Sequence, residues 1–418
     1  MRCTRQALLG GVLAALVQIA TADDLGANLE GLLTYAYEHN PELRMRALEA
    51  DAAHAAAGAA SALPDPNFQL ELMDFTNAAV GGPTTLLPDE VGVARYEIVQ
   101  PLPFFGKREL RGQIAGHQAA QRDATRDATR LDIESGIKTA YARYYQAAGQ
   151  ATILNEALEL YESLEKLVVT RYSVGLVPQQ DALQAQSEIT DAKVELIDAA
   201  QRRREAAAAL NALLPRDIDA PLAIPHALPM PNSPITLGTL VDTALKDTPE
   251  LAREQASIDA AKNTQALTLR DRYPDFGLGF RNTRTRDAPQ TWDVILQMNI
   301  PLQQSARRDR ESEARNMLEA AQASLEATRA RIEGRLGETF AAFESNRDKA
   351  RLLRTTLLPQ AEATLKAAEA GYETGQVNFT TLIEAERQTL RTRLALLDAE
   401  VETAVRLSEL EQLTGSSL

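Results

Sequence analysis

The sequence predicts a mainly α-helical chain with a small β part, written twice, and three observations carry that prediction. Apolar residues make up 44% of the 418 positions but aromatics only 5%, so Ala and Leu supply the apolar character and long helices with shallow contacts are favoured. Similar segments recur at an offset near 200 residues. Within each half, one short region changes from helical periodicity to strict alternation.

The first 22 residues, MRCTRQALLGGVLAALVQIATA, read as a cleavable secretory signal. Arg2 and Arg5 precede an uncharged run from Gln6 to Ala20, and Ala20 and Ala22 stand as in an A-x-A cleavage site, giving a mature start at Asp23. The apolar run is shorter than the roughly 20 residues of a spanning helix. Removing it takes away the single cysteine, Cys3, and with it disulfide, thiolate and sulfur-ligand chemistry. It also makes a chain of formal charge −14 two units more negative. Such acidity argues against nucleic acid or anionic lipid as a partner. After residue 22 no stretch is apolar enough for a membrane helix, so any membrane contact must be made through strands.

The first repeat occupies residues 23 to 212 and the second 237 to 418, divided by a proline-rich linker at 213 to 236 that cannot be helical. Both repeats open on a short amphipathic helix and a longer Ala-rich one, joined at Asn40-Pro41-Glu42-Leu43 and Thr248-Pro249-Glu250-Leu251. Proline at a first helical position fits both starts. Each second helix ends at Pro-Asp, Pro64-Asp65 and Pro274-Asp275.

Alternation follows. Phe68, Leu70 and Leu72 alternate with Gln69 and Glu71, and Phe276, Leu278 and Phe280 with Gly277, Gly279 and Arg281. Strands are expected over about 66 to 75, 91 to 100, 275 to 285 and 291 to 300, as two hairpins closing over residues 76 to 90 and a loop near Asp287-Ala288-Pro289. Tyr96, Tyr273 and Trp292 near strand ends suit membrane strands with interfacial aromatics, and two soluble hairpins would read similarly. Four strands cannot close a barrel and leave open edges. Three copies would supply twelve.

From Lys107 to about Tyr172 there is no proline, and Ile133, Ile137, Ala140, Tyr141, Tyr144 and Ala148 recur at helical spacing. Roughly 65 residues at about 1.5 Å each would make a helix near 100 Å long. Ser305 to Tyr372 repeats it, interrupted by Pro359. Shorter helices return from about Gln179 to Leu213 and Asn378 to Leu413. The turns between are RYSVGLVPQQ and GYETGQVNFT, in which Gly175 and Gly375 supply the unrestricted backbone and Pro178 pre-sets the restart.

The duplicated order of helix, helix, strand pair, long helix, Gly turn and short helix, the NPEL and TPEL starts, and the YxxGxV turns resemble the TolC-like outer-membrane factor family over essentially the whole mature chain. The QPLPFFGKRELRGQIA segment, residues 100 to 115, resembles that of its heavy-metal resistance-nodulation-division branch. The resemblance implies a homotrimer with a twelve-stranded barrel in the outer-membrane lipid and a helical barrel in the periplasm. It implies a passive exit duct served by a periplasmic adaptor and an inner-membrane pump. The adaptor-contact tips would be Val174, Gly175 and Leu176 with Thr374, Gly375 and Gln376, where Gln376 departs from the apolar Leu176. A periplasmic gate would fall at Asp181 with Gln184, and at Thr381 with Glu384; only Asp181 and Glu384 are acidic, and Arg171, Arg387 and Arg391 are candidate partners for them.

Catalysis finds little support. His39, His54, His117 and His226 lack the i, i+4 spacing of a zinc helix, and no glycine-rich loop after a strand would cradle a phosphate. The reading is therefore of no enzyme, cofactor or resident metal. A drug-efflux or type I secretion channel and a soluble periplasmic coiled-coil scaffold stand as alternatives to the metal-exporting duct.

Overall fold

The computed structural model describes residues 25 to 78, 81 to 229, 235 to 286 and 288 to 418; the signal segment and Cys3 lie outside them. In chain order the elements are α1 (Leu29–His39), α2 (Pro41–Ala60), β1 (Asn67–Met73), β2 (Val93–Leu102), α3 (Lys107–Ser173) and α4 (Gln179–Leu213). The second series is α5 (Leu237–Asp247), α6 (Pro249–Arg270), β3 (Phe276–Thr285), β4 (Ala288–Met298), α7 (Gln304–Leu352), α8 (Leu358–Glu373) and α9 (Phe379–Thr414). Between α7 and α8, residues Leu353–Leu357 form one π-helical turn, in which the Leu358 amide donates to the Leu353 carbonyl. Pro359 has no N–H to give and its ring would crowd the turn before it. Widening that turn lets the helix pass the proline instead of breaking.

The chain divides into two compact units. One comprises Met1–Asn40, Gly136–Met230 and Glu344–Val405, the other Pro41–Ser135, Pro231–Phe343 and Arg406–Leu418. In the first, Tyr161, Leu164 and Val168 of α3 pack with Ala182 and Ala185 of α4, Tyr372 of α8 and Phe379, Leu382 and Ile383 of α9. Burial of such side chains contributes on the order of 2 kcal/mol each. Along the described part of the proline-rich segment, residues 214 to 229, side chains serve several backbone carbonyls. Tyr141 donates its hydroxyl to the carbonyls of Ala27 and Ala227, Tyr144 donates to Leu222, and Asn211 donates to Ile218 and Ala220.

In the second unit Leu240 and Ala244 of α5 pack with Ile332, Leu336, Phe340 and Phe343 of α7 and Leu407, Leu410 and Leu413 of α9. The residues before the two prolines have matching duties. Asn40 Nδ2 donates to the Leu213 carbonyl at 3.2 Å and Thr248 Oγ1 to the Leu413 carbonyl at 3.0 Å, so each polar side chain satisfies an orphan group at the end of a returning helix.

The four strands form one antiparallel sheet in the order β1-β2-β3-β4, leaving β1 and β4 as edges. β4 begins at Ala288, which pairs with Thr285, so Ala288 and Pro289 belong to a strand rather than to the expected loop. An edge strand tolerates a proline near its start because no ladder donor is lost there. β2 runs on through Pro101 to Leu102; β1 already ends its pairing at Asn67 with Val99, so nothing requires an N–H from Pro101 on that side.

Register sorts the side chains onto two faces. Rows Phe68, Ile98, Phe280, Val294 and Leu70, Tyr96, Asn282, Trp292 lie on one face, with Leu278, Leu296, Leu102, Phe276 and Met298. The other face carries Gln69, Glu97, Arg281, Asp293 and Glu71, Arg95, Thr283, Thr291 as rows. On it Arg281 binds Glu97 at 2.7 and 2.9 Å, and Arg95 binds Glu71 at 2.5 Å. The apolar face is uncovered, Leu296 being 76% and Val294 70% exposed.

Candidate functional site

The two helix-turn tips are built from the same backbone device with different side chains. Gly175 and Gly375 sit at φ +78° and +74°, and their amides donate to the carbonyls of Tyr172 and Tyr372. Leu176 N donates to Arg171 O and Gln376 N to Gly371 O, so both helices end in Schellman-type closures that a left-handed residue alone allows. A Cβ on either glycine would meet nothing within 4 Å, so the requirement is conformational, not steric. The restarts differ: Pro178 precedes α4 without a side-chain cap, whereas Asn378 Oδ1 accepts from the Thr381 amide and hydroxyl at 2.8 Å each.

The first tip is apolar and protruding, with Val174 67% and Leu176 72% exposed; at the second, Thr374 and Gln376 are exposed polar residues. The tips are tied together. Arg171 donates to the Tyr372 carbonyl at 2.6 Å and to the Glu373 carbonyl, with its guanidinium 5.0 Å from the Tyr372 ring centroid. A cation on the last carbonyls of α8 also meets the negative end of that helix dipole. The equivalent residue in the second repeat is Gly371, whose missing side chain makes room for Val377.

The proposed gate acids stand one to two turns beyond. Asp181 is half-buried, and burial raises its carboxyl above the usual range; Glu384 is exposed. The expected cationic partners are engaged elsewhere, which corrects that part of the sequence reading. Arg171 clamps α8, Arg387 makes a bidentate pair with Glu188 at 2.6 and 3.0 Å, and Arg391 bonds to the Arg387 carbonyl and Gln388. Among the described residues neither Asp181 nor Glu384 has an ion-pair partner. Tyr372 lies near Asp181: burial raises its hydroxyl pKa, the Asp181 charge raises it further, and Arg171 opposes both. That hydroxyl is buried without a hydrogen-bond partner among the described residues.

Metal-ligand geometry does not occur among the described residues, where no group of three or more His, Asp or Glu side chains is placed to hold an ion. His54 instead contacts Asp123 at 2.8 Å. No helix of the described residues is long and apolar enough to cross a membrane.

A family model described as outer membrane efflux protein matches residues 32–215 and 240–416. The chain belongs to the outer membrane efflux protein family. Among its relatives, the cobalt-zinc-cadmium resistance protein CzcC of Cupriavidus metallidurans is 23% identical over 392 residues, spanning 93% of this chain and 90% of CzcC. Outer membrane protein OprJ of Pseudomonas aeruginosa is 24% identical over 425 residues, spanning 93% and 84%. The fold matches that of solved CusC, with a TM-score of 0.79 at 18% identity over 100% of this chain and 99% of CusC. It also matches the outer membrane protein VceC of Vibrio cholerae, with a TM-score of 0.77 at 18% identity over 93% and 96%.

In this efflux protein, sequence reasoning overlooked a buried carboxyl two turns into α9. Glu386 is 5% exposed and its Oε2 has no hydrogen-bond partner among the described residues. Burial pushes it up to about 7, with Arg393 opposing and Glu369 adding to the shift. It stands beside the Glu188 and Arg387 pair and Tyr161, whose hydroxyl is pushed up chiefly by burial and then by these two acids. Its pattern in the sequence, Glu384-Ala385-Glu386-Arg387, reads as an ordinary charged helix face. Only the helices packed over it make it different.

Proposed function

We propose that three copies of this chain form a passive duct across the outer membrane, each contributing four strands to a twelve-stranded barrel and its long helices to a periplasmic barrel. The observation that carries this reading is the two-faced sheet. Four strands presenting Phe68, Ile98, Phe280, Val294 and Leu296 outward, with Glu71, Arg95, Glu97, Arg281 and Asp293 on the opposite face, suit a wall between lipid and water. A strand of ten residues at about 3.3 Å each, tilted by about 40°, spans about 25 Å, the height of an apolar band. The open edges of β1 and β4 would pair with neighbouring copies and so leave no edge exposed.

In this reading residues 1 to 22 direct export, and the tips at Val174, Gly175, Leu176, Thr374, Gly375 and Gln376 dock a periplasmic adaptor that delivers substrate from an inner-membrane pump. The exposed apolar pair Val174 and Leu176 makes the first tip the stronger contact. Asp181 and Glu384, repeated three times around an axis, would form a charged constriction that attracts cations. Divalent metal cations are the cargo we favour, since the likeness to CzcC runs the length of both chains.

The mature protein is expected to need detergent for solubility, to migrate as a heat-modifiable trimer and to conduct ions in planar bilayers. A detergent-free soluble monomer would end the duct reading. Cargo is tested by metal tolerance of a host expressing the protein with its pump and adaptor.

A further inference from the structure

The border between the sheet and the helices carries charges that a duct wall does not use. The chain has a formal charge of −14, which predicts repulsion of anionic lipid. Residues 104 to 111 nevertheless read Phe-Phe-Gly-Lys-Arg-Glu-Leu-Arg, and 270 to 273 read Arg-Asp-Arg-Tyr, cations and aromatics placed directly beside β2 and β3.

These cations are not equivalent. Lys107 is 3% exposed and spent internally: its Nζ lies 2.9 Å from Asp275 and 3.2 Å from Asp271, and donates to the Tyr273 carbonyl. Arg272 is spent on a bidentate pair with Glu311 at 2.6 and 2.7 Å. Arg108 is not, because Nε and Nη2 both donate to one neutral acceptor, the Ser61 carbonyl, at 3.1 and 3.0 Å. Arg270 has no ion-pair partner among the described residues, and its guanidinium comes within 3.8 Å of where a Cβ on Gly106 would stand.

Gly106 and Arg108 line a groove of about 650 Å³ together with the apolar side chains of Leu63, Leu102, Phe104, Phe105 and Phe276. Ser61, Pro103 and Glu109, whose carboxylate accepts from the Gln113 amide, complete the lining. Leu102 and Phe276 are register partners and, with Met298, the last row of the sheet's apolar face, so the groove continues that face. Phe104 stacks on Tyr273 with centroids 4.6 Å apart, and Phe105 is left 85% exposed. Apolar walls continuous with a lipid-facing sheet, with the Arg108 guanidinium in the wall and that of Arg270 beside Gly106, match one kind of molecule: an amphiphile with an anionic head.

We propose that this groove holds an anionic phospholipid of the inner leaflet, its acyl chain against Leu102, Phe105 and Phe276 and its phosphate between Arg108 and Arg270. The proposal rests on the membrane reading of the sheet. Guanidinium groups at a membrane surface draw anionic headgroups through charge and bidentate hydrogen bonds, and aromatic side chains anchor at the same depth. A free phosphate would use the arginines but not the apolar walls.

The test is native mass spectrometry of the full-length trimer released from mild detergent after incubation with phosphatidylglycerol or phosphatidylethanolamine. Wild type is expected to retain phosphatidylglycerol preferentially, and Arg108→Gln with Arg270→Gln to lower that retention about 25-fold, given roughly a factor of five per basic residue. Arg108→Lys with Arg270→Lys keeps the charge and should restore most of it. Equal retention of the two lipids, an undiminished signal in the Gln variant, or displacement by millimolar inorganic phosphate alone would each overturn the proposal. Trimer formation and conductance are read on the same sample. A wild-type trimer that assembles and conducts but shows no lipid preference refutes this site alone, whereas a detergent-free monomer refutes the membrane reading beneath it.

Discussion

Substituting Glu386→Gln tests the packing beyond the tips most directly, because it replaces a buried titrating group by a neutral one of the same shape. The carboxyl is raised from 4.5 to about 7, with burial the first cause. A folded-state value above the unfolded one means that the folded chain binds the proton more tightly. The associated stability is therefore complete below about pH 4.5 and is lost as pH rises through 7. The shift corresponds to up to about 3 kcal/mol at about 1.4 kcal/mol per unit, a ceiling because neighbouring helices can relax and admit water. The charged groups acting on it are Glu369 on α8, which adds to the shift, and Arg393 on α9, which limits it; the Tyr161 hydroxyl on α3, itself near Glu188 on α4 and Arg387 on α9, lies close by. Apparent Tm of the detergent-solubilised protein should fall between pH 5 and pH 8, together with faster hydrogen exchange in α8 and α9 after correction for intrinsic rates. In Glu386→Gln both trends should flatten, and the variant should be the more stable at pH 8. Identical pH profiles for wild type and variant would refute the claim that this carboxyl is held neutral by its surroundings.

Four further outcomes are expected. Gly279→Ala places a Cβ 2.7 Å from the Ile98 carbonyl oxygen, so the β2–β3 pairing must open and the heat-modifiable trimer should not form, while Gly337→Ala, with nothing within 4 Å, should assemble normally. Arg171→Gln loses two carbonyl bonds and a ring contact, about 2 kcal/mol in all; it should lower Tm and hasten proteolysis at the tips, and unchanged cleavage would argue against the clamp. Asp181→Asn with Glu384→Gln should reduce cation selectivity in planar bilayers, and an unaltered trace would remove both residues from the gate. Leu176→Asp should weaken adaptor cross-linking more than Gln376→Asp, since the former charges an exposed apolar tip; equal effects would show the tips to be interchangeable.

Much of the architecture was legible in the residues themselves. The repeat at an offset near 200, the alternation around Phe68 and Phe276 and the glycines of the two turns are local or periodic signals, and local sterics suffice to read them. The NPEL and TPEL starts were visible as motifs, but not their purpose, since Asn40 and Thr248 act on carbonyls at Leu213 and Leu413, far along the chain. Proline content argues against a helix between the repeats, yet the sequence does not show that Tyr141, Tyr144 and Asn211 bond to carbonyls between Ile218 and Ala227. The candidate partners of the gate failed for the same reason. Position along a helix fixes which residues share a face, whereas Arg171, Arg387 and Arg391 were claimed by acceptors on neighbouring turns or other helices.

The sequence by itself determined where helices run, where they turn and which strand residues alternate, because backbone sterics and apolar periodicity act over a few residues. Tertiary structure alone decided which charges are spent and which remain. Glu384 and Glu386 stand two residues apart in the same helix, and one is exposed while the other is buried with a raised pKa. Lys107 and Arg108 are adjacent, and one is consumed by Asp271 and Asp275 while the other rests on a lone carbonyl. The electrostatic state of an ionisable group depends on solvent exclusion and on partners brought close by folding, and neither is written in its immediate neighbours.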